Sequence, residues 1–270
     1  MPLSAPALQT AAEQLRTGRA RTPSPIGHLP LECRPSDVDD AMAIQNVLHE
    51  MLTADGFGAV AGTKIGCTTQ VMQEYLGIAH PCTGAIFERT IQHLTANLEF
   101  NSYLHVGVEC EIAVTLGKSL AMRDAPHTID SVAKSVESFH AAIEIVDDRY
   151  VDFVARVPDG NTWIADDFFG AGIVLGKPVT AWHDLDLASM HGRMKINGQH
   201  VGTGHGRDII NGHPLEALVW LANFEAVRGH DLPAGWIVML GSVVQTRWVS
   251  QGDVIDVNIE GLGTARAHFA

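Results

Sequence analysis

The stretch His105-Val106-Gly107-Val108-Glu109-Cys110-Glu111-Ile112-Ala113-Val114 decides how the chain folds. Side chains two apart on a β-strand share a face. A strand over residues 104–116 therefore sends Val108, Cys110 and Ile112 to one side and Glu109 with Glu111 to the other. The first face belongs in a core; the second carries two adjacent carboxylates. Such a pair is tolerable when solvent screens it, when one acid is protonated, or when a cation sits between the two. Further on, Ile143-Glu144-Ile145-Val146 again sets an acid inside an apolar strand pattern. Three carboxylates without Cys or His at ligand spacing make a hard-oxygen donor set, suited to Mg²⁺ or Mn²⁺ rather than zinc. On spacing alone, a solvent-facing acidic strand is the commoner origin of E-x-E, and Glu144 could equally pair with Arg149 or Arg156.

Around this strand the chain is rich in Val and Ile and punctuated by Gly. Further strands are predicted over residues 143–146, 171–175, 193–196, 237–240, 254–259 and 265–269. Asn197-Gly198 between two short apolar runs signals a type I′ hairpin, and Gly261-Leu262-Gly263 makes the last one. Helices are predicted over residues 68–76, closed by Gly77; over 131–141, with Asp130 as N-cap; and over 214–228, closed by Gly229, with His213 as its cap. Residues 1–60 read as helical. Leu8, Ala11, Ala12 and Leu15 recur at helical spacing, and after Pro35 a second helix starts with Ser36 as N-cap. Strands outnumber helices and do not alternate with them, so the class is α+β, β-rich, and a doubly wound sheet is disfavoured. The expected organisation is a helical region, 1–60, followed by a catalytic domain, 61–270.

Bulk properties narrow the function. The formal charge of -13, with 18 basic residues that form no run, argues against nucleic acid. An anionic substrate would need a local positive charge from a metal ion or a fixed Lys or Arg. Four cysteines, Cys33, Cys67, Cys82 and Cys110, make no C-x-x-C pair, which suits a reduced, cytoplasmic chain. No secretory signal or membrane-length apolar run is read from the sequence.

With these residues in view, the chain resembles the fumarylacetoacetate hydrolase superfamily, in its branch of 2-oxopent-4-enoate hydratases and 4-oxalocrotonate decarboxylases. The matching stretches run in order: Gly62-Thr63-Lys64-Ile65-Gly66-Cys67-Thr68-Thr69, the strand of Glu109 and Glu111, Glu144 through Arg149, Gly212-His213-Pro214-Leu215, Leu240-Gly241-Ser242, and Gly252-Asp253 through Gly263. The resemblance implies a mixed β-sheet roll of the fumarylacetoacetase C-terminal type and a Mg²⁺ or Mn²⁺ ion held by Glu109, Glu111 and Glu144. It further implies Lys64 as the catalytic lysine, and substrate contacts by Lys64, Asp166, Gly204 and His205. Homo-oligomers, and association with a related hydratase or decarboxylase, are expected with it. The activity implied is that of a hydratase of 2-hydroxy-2,4-dienoates (2-oxo-4-enoates) in aromatic degradation. The alternatives are decarboxylation of a 2-oxo dicarboxylate, hydrolytic cleavage of an acylpyruvate, or an inactive partner subunit.

Two departures bear on the substrate. Where hydratases of the branch carry Pro-Asp-Phe-Gly, this chain reads Pro81-Cys82-Thr83-Gly84, so the acid is missing. Where relatives read Ala-Asp-Asn-Ala-Ser, it reads Ala165-Asp166-Asp167-Phe168-Phe169, and the aromatics either crowd the pocket or pack in the core.

Overall fold

In the computed structural model, which describes residues 2–20, 22–68, 73–74 and 77–270, two β-sheets carry the chain. The strands are β1 (Val60–Gly66), β2 (Cys82–Phe87), β3 (Ile91–His93), β4 (Thr95–Leu98), β5 (Val106–Leu116), β6 (Val136–Asp147), β7 (Gly170–Leu175), β8 (His191–Ile196), β9 (Gln199–His205), β10 (Ile237–Trp248), β11 (Val254–Ile259) and β12 (Gly263–Phe269). One sheet runs β2-β1-β10-β5-β6-β7-β3 and the other β4-β12-β11-β8-β9. Most pairs are antiparallel, while β1 with β10, β3 with β7 and β4 with β12 are parallel. This is the mixed, β-rich α+β roll that the sequence predicted.

The alternation along β5 works as expected. Val108, Cys110 and Ile112 are fully buried, and they join Phe139, Ile143 and Ile145 of β6 in one core with Ile255, Val257 and Phe269 of the second sheet. Burying each such side chain contributes about 1.5–3 kcal/mol. The opposite face of the first sheet carries a smaller apolar cluster, with Ala113, Ala142, Ile173 and Met239, beside the acidic residues. Helices are α1 (Ala5–Arg16), α2 (Val38–Leu52), α3 (Ile129–Ala133), α4 (Gly160–Ala165) and α5 (Pro214–Val227). Leu15, Leu48 and Leu52 of α1 and α2 form a second core with Phe87, Trp163 and Phe168, so the N-terminal helices close over the β1–β2 edge.

Several local expectations change. The helix predicted over residues 131–141 is cut to α3, capped by Thr128, and from Val136 the chain is strand. Residues 136–141 pair with β5, bridge to Val179 at Phe139 and are mostly buried, and that tertiary setting overrides a helical pattern. Asp37, one residue after Ser36, caps α2 by accepting the Asp40 N–H at 2.9 Å, while the Ser36 hydroxyl donates to Asp40. The helix predicted over 68–76 falls mostly on residues outside those described. His213 caps α5 as expected, its Nδ1 accepting the Leu215 N–H at 3.1 Å. Asn197 and Gly198 both take positive φ, as a type I′ turn requires.

Candidate metal centre

Register brings the acids together. Glu109 of β5 lies directly opposite Glu144 of β6, and Glu111, two residues on, shares their face. An oxygen from each of Glu109, Glu111 and Glu144 lies within 4.8 Å of the others. That is within an ångström of about 4.2 Å, the widest separation of two oxygens on one ion at about 2.1 Å. Glu111 and Glu144 are buried and Glu109 is half-buried.

Lys64 joins them by curvature. It lies on β1, three strand steps from β6 in the order β1-β10-β5-β6, and in a flat sheet those strands would be about 14 Å apart. Yet its Nζ is 3.3 Å from Glu144 Oε1. The sheet must therefore curl into a half-barrel, with the ammonium and the three carboxylates on its concave face. Lys64 is itself 3% exposed, so it is not the surface lysine that its Gly-rich flanks allow. Its Nζ also donates to the Phe168 carbonyl and lies 4.9 Å from the centre of the Phe168 ring.

A turn of unusual backbone presents that carbonyl. Asp167, Phe168 and Phe169 all have positive φ, at 56°, 45° and 67°. Each such non-Gly residue costs on the order of 1 kcal/mol or more, so the turn needs external support. Asp166 supplies some: its buried carboxylate accepts two bonds from Arg149, at 2.9 and 3.1 Å, and further ones from Arg19 and the Tyr150 hydroxyl. Asp167 supplies the rest, through His49 at 2.6 Å, Arg19 at 3.1 Å and the Ala85 N–H at 2.9 Å. Burial opposes ionisation of Asp167, but His49, Arg19 and the Ala85 N–H outweigh it and bring the carboxyl to about 2. Asp166 is thus engaged in holding the turn that meets Lys64, with Arg149 and Tyr150 on one carboxylate oxygen and Arg19 on the other. Phe168 faces Lys64 and packs over Gly66, where an added Cβ would come within 2.4 Å of its ring. Phe169 packs with Tyr150, Phe153 and Trp163.

Two further groups touch the acids. Gly241 of β10, at φ 135° among irregular register steps, turns its N–H to Glu111 Oε2 at 3.0 Å. The Thr246 hydroxyl donates to Glu109. Leu240-Gly241-Ser242 was among the stretches that carry the family resemblance, whereas nothing in the sequence pointed to Thr246. Gly204 and His205 end β9. Gly204 lies against the Val243 carbonyl, two residues from Gly241, and His205 stacks on His191 while its N–H donates to the Asp208 carboxylate.

The electrostatics call for a cation. Burial, then the charges of Glu144 and Glu109, push Glu111 well above the usual carboxylate range. Burial raises Glu109 too, against the Thr246 bond and the Lys64 charge. Glu144 is raised to about 7 by burial, with the Lys64 ammonium pulling the other way. Buried Glu144 Oε1 has no hydrogen-bond donor of proper geometry, only the ion pair. Three ionised acids and one ammonium leave a charge of minus two, which one divalent ion cancels. The all-oxygen donors and the unbonded oxygen fit Mg²⁺ or Mn²⁺.

Comparison with known proteins agrees. Residues 88–270 match the family model described as fumarylacetoacetate (FAA) hydrolase C-terminal. The chain is 32% identical over 235 residues to 2-keto-4-pentenoate hydratase 1 of Dechloromonas aromatica (strain RCB), covering 87% of each. It is 30% identical over 263 residues to 2-keto-4-pentenoate hydratase of Paraburkholderia xenovorans (strain LB400), covering 97% of this chain and 93% of that one. The fold is shared with the 4-oxalocrotonate decarboxylase from Pseudomonas putida G7 complexed with magnesium and adipate, at a TM-score of 0.90 and 24% identity over 99% of each chain. The chain belongs to the fumarylacetoacetate hydrolase superfamily, close to its 2-oxopent-4-enoate hydratase and 4-oxalocrotonate decarboxylase branch.

Proposed function

We propose that this chain is a divalent-metal-dependent lyase of conjugated 2-oxo acids, performing hydratase- or decarboxylase-type chemistry. The observation that carries it is the set of half-buried Glu109 and buried Glu111 and Glu144 with Lys64 against it. Held by those carboxylates, Mg²⁺ or Mn²⁺ would accept a 2-oxo acid and stabilise negative charge developing on its 2-oxygen. Lys64, fixed by Glu144 and the Phe168 carbonyl, is the proton donor. It also supplies a positive charge that an acidic protein otherwise lacks for an anionic substrate.

Between the two reactions, the surroundings of Lys64 favour decarboxylation of a 2-oxo dicarboxylate. Hydration needs a group to guide water to C4. The hydratase acid is replaced here by Cys82, and the nearby Asp166 and Asp167 are locked by Arg149, Arg19 and His49. Loss of carbon dioxide needs no such base: the electrons of the breaking C–C bond pass into the conjugated 2-oxo system. The apolar ring of Phe168 beside Lys64 also favours loss of a carboxylate charge. Hydration remains the second reading, because relatives about a third identical are named 2-keto-4-pentenoate hydratases.

The test is incubation with Mg²⁺ and either 4-oxalocrotonate or 2-hydroxypenta-2,4-dienoate, scored by released carbon dioxide and by loss of dienol absorbance. Carbon dioxide from the first supports decarboxylation, and absorbance loss with the second alone supports hydration. No turnover of either overturns the lyase reading and leaves a non-catalytic partner subunit.

A further inference from the structure

Of the four free cysteines, two stand alone in the packing. Cys33 donates weakly to the Pro30 carbonyl at 3.5 Å, and Cys110 lies fully buried beneath the acidic face of β5. The other two meet. Cys82 opens β2 directly opposite Gly66 of β1, Cys67 follows one step beyond that pair, and both lie in one buried cluster with Phe168. Both are buried, at 7% and 2% exposure, and both feel the Lys64 ammonium. Cys67 holds a left-handed backbone, φ 57°, that a non-Gly residue seldom adopts without cause. The pair takes no part in the chemistry proposed above.

We propose that Cys67 and Cys82 form a reversible dithiol–disulfide site beside Lys64, oxidised by hydrogen peroxide. Cys67 is the attacking sulfur. The contact with Cys82 eases loss of its proton against the cost of burial, and the Lys64 charge adds to this. The same contact raises Cys82, burial adding to it. In the first step the Cys67 thiolate bonds the near oxygen of the peroxide, the O–O bond breaks, and the far oxygen leaves as water with a proton from solvent. In the second, Cys82 sulfur attacks Cys67 sulfur and the S–O bond breaks. Hydroxide leaves as a second water with the Cys82 proton. Two thiols and one peroxide give one disulfide and two waters; sulfur is oxidised and peroxide oxygen reduced.

The site adjoins the candidate metal centre. Thr68, next to Cys67, lies against Gly241, whose N–H bonds Glu111; a methyl added at Gly241 would sit 3.4 Å from Thr68 Oγ1.

The sequence offers a clean readout, because tryptic peptide 65–89 contains Cys67 and Cys82 and neither of the others. Full-length reduced protein is treated with a small excess of hydrogen peroxide, quenched in acid, unfolded and alkylated with N-ethylmaleimide. The expected result is a loss of roughly tenfold or more in alkylation of peptide 65–89, a mass lower by the two thiol hydrogens, and full reversal by dithiothreitol, with Cys33 and Cys110 still alkylated. Cleavage after Glu74 should then give two fragments that stay joined until reduced. In the Cys82→Ala variant, dimedone should trap Cys67 as a sulfenic acid. Peptide 65–89 that still takes two maleimides, or Cys67 carried to sulfinic acid without a disulfide, overturns the proposal. These outcomes are read by mass alone and do not depend on which reaction the metal centre performs.

Discussion

Replacing Glu144 with Gln should stabilise the metal-free protein above neutral pH, although it removes a buried ion pair. Burial raises this carboxyl from 4.5 to about 7, and the attraction of Lys64 is already contained in that net shift. The difference corresponds to about 3 kcal/mol spent on ionising the group in the folded state at high pH. The folded chain holds this proton more tightly than the unfolded one. Stability from this group is therefore complete below about 4.5 and falls as pH rises through the window to about 7. An amide mimics the protonated acid and escapes the loss. In chelator at pH 8, Glu144→Gln should melt roughly 5–10 °C above the parent chain, and at pH 5 the two should converge. Mn²⁺ should first close the gap and then reverse it, since an ion at a thousandfold over its dissociation constant adds about 4 kcal/mol to the chain that binds it and little to the variant. Differential scanning calorimetry at both pH values, with chelator and with Mn²⁺, makes the comparison. A variant less stable than its parent at pH 8 in chelator, or one with an undiminished Mn²⁺ response, would refute the reading of these carboxylates as a cation site held in repulsion.

Lys64→Ala should lower turnover by about 10²-fold or more while leaving Mn²⁺ affinity within a few-fold, as steady-state kinetics and titration calorimetry would show; unchanged turnover removes Lys64 from the chemistry. Gly241→Ala should weaken Mn²⁺ binding by about tenfold, because φ 135° disfavours a side chain and the N–H bond to Glu111 moves with the backbone. His49→Ala strips Asp167 of its 2.6 Å partner and should cost about 2–4 kcal/mol in urea unfolding. Burial opposes ionisation of Asp167, but His49, Arg19 and the Ala85 N–H prevail, so its contribution is present above 3.8 and lost as pH falls towards about 2. In His49→Ala that acid-limb loss should shrink.

What could be read from the sequence divides along a physical line. Glu109 and Glu111 were legible because strand periodicity is local: alternate residues share a face wherever the strand ends up. The same logic located Asn197-Gly198 and the last hairpin. Residues 131–141 failed because their spacing suits a helix, and only pairing with β5, with a bridge from Phe139 to Val179, makes residues 136–141 strand. Val60–Gly66, the strand that carries Lys64, was masked by its glycines. Those glycines let neighbouring groups approach closely, as Phe168 does at Gly66.

The site itself depends on features with no local code. Lys64 reaches Glu144 because the sheet curls, and curl arises from irregular register such as the steps in β10 around Gly241. The turn that receives Lys64 runs through Asp167, Phe168 and Phe169, three residues that nothing in the sequence marks for positive φ. Its cause is tertiary: Arg19 and His49, far upstream, hold the Asp167 carboxylate, and Arg149 holds Asp166. This gives the N-terminal helical region a part in the site. Two anionic anchors in sequence, each met by cations from different segments, bend the backbone so that the Phe168 carbonyl faces the one ammonium among three acids. The departure from Asn to Asp at position 167 then has a physical reading, since the added charge is matched by His49 and Arg19 rather than left in the pocket. Beside Lys64, the negative charge that remains unmatched lies on Glu109, Glu111 and Glu144, the set that would hold the proposed divalent cation.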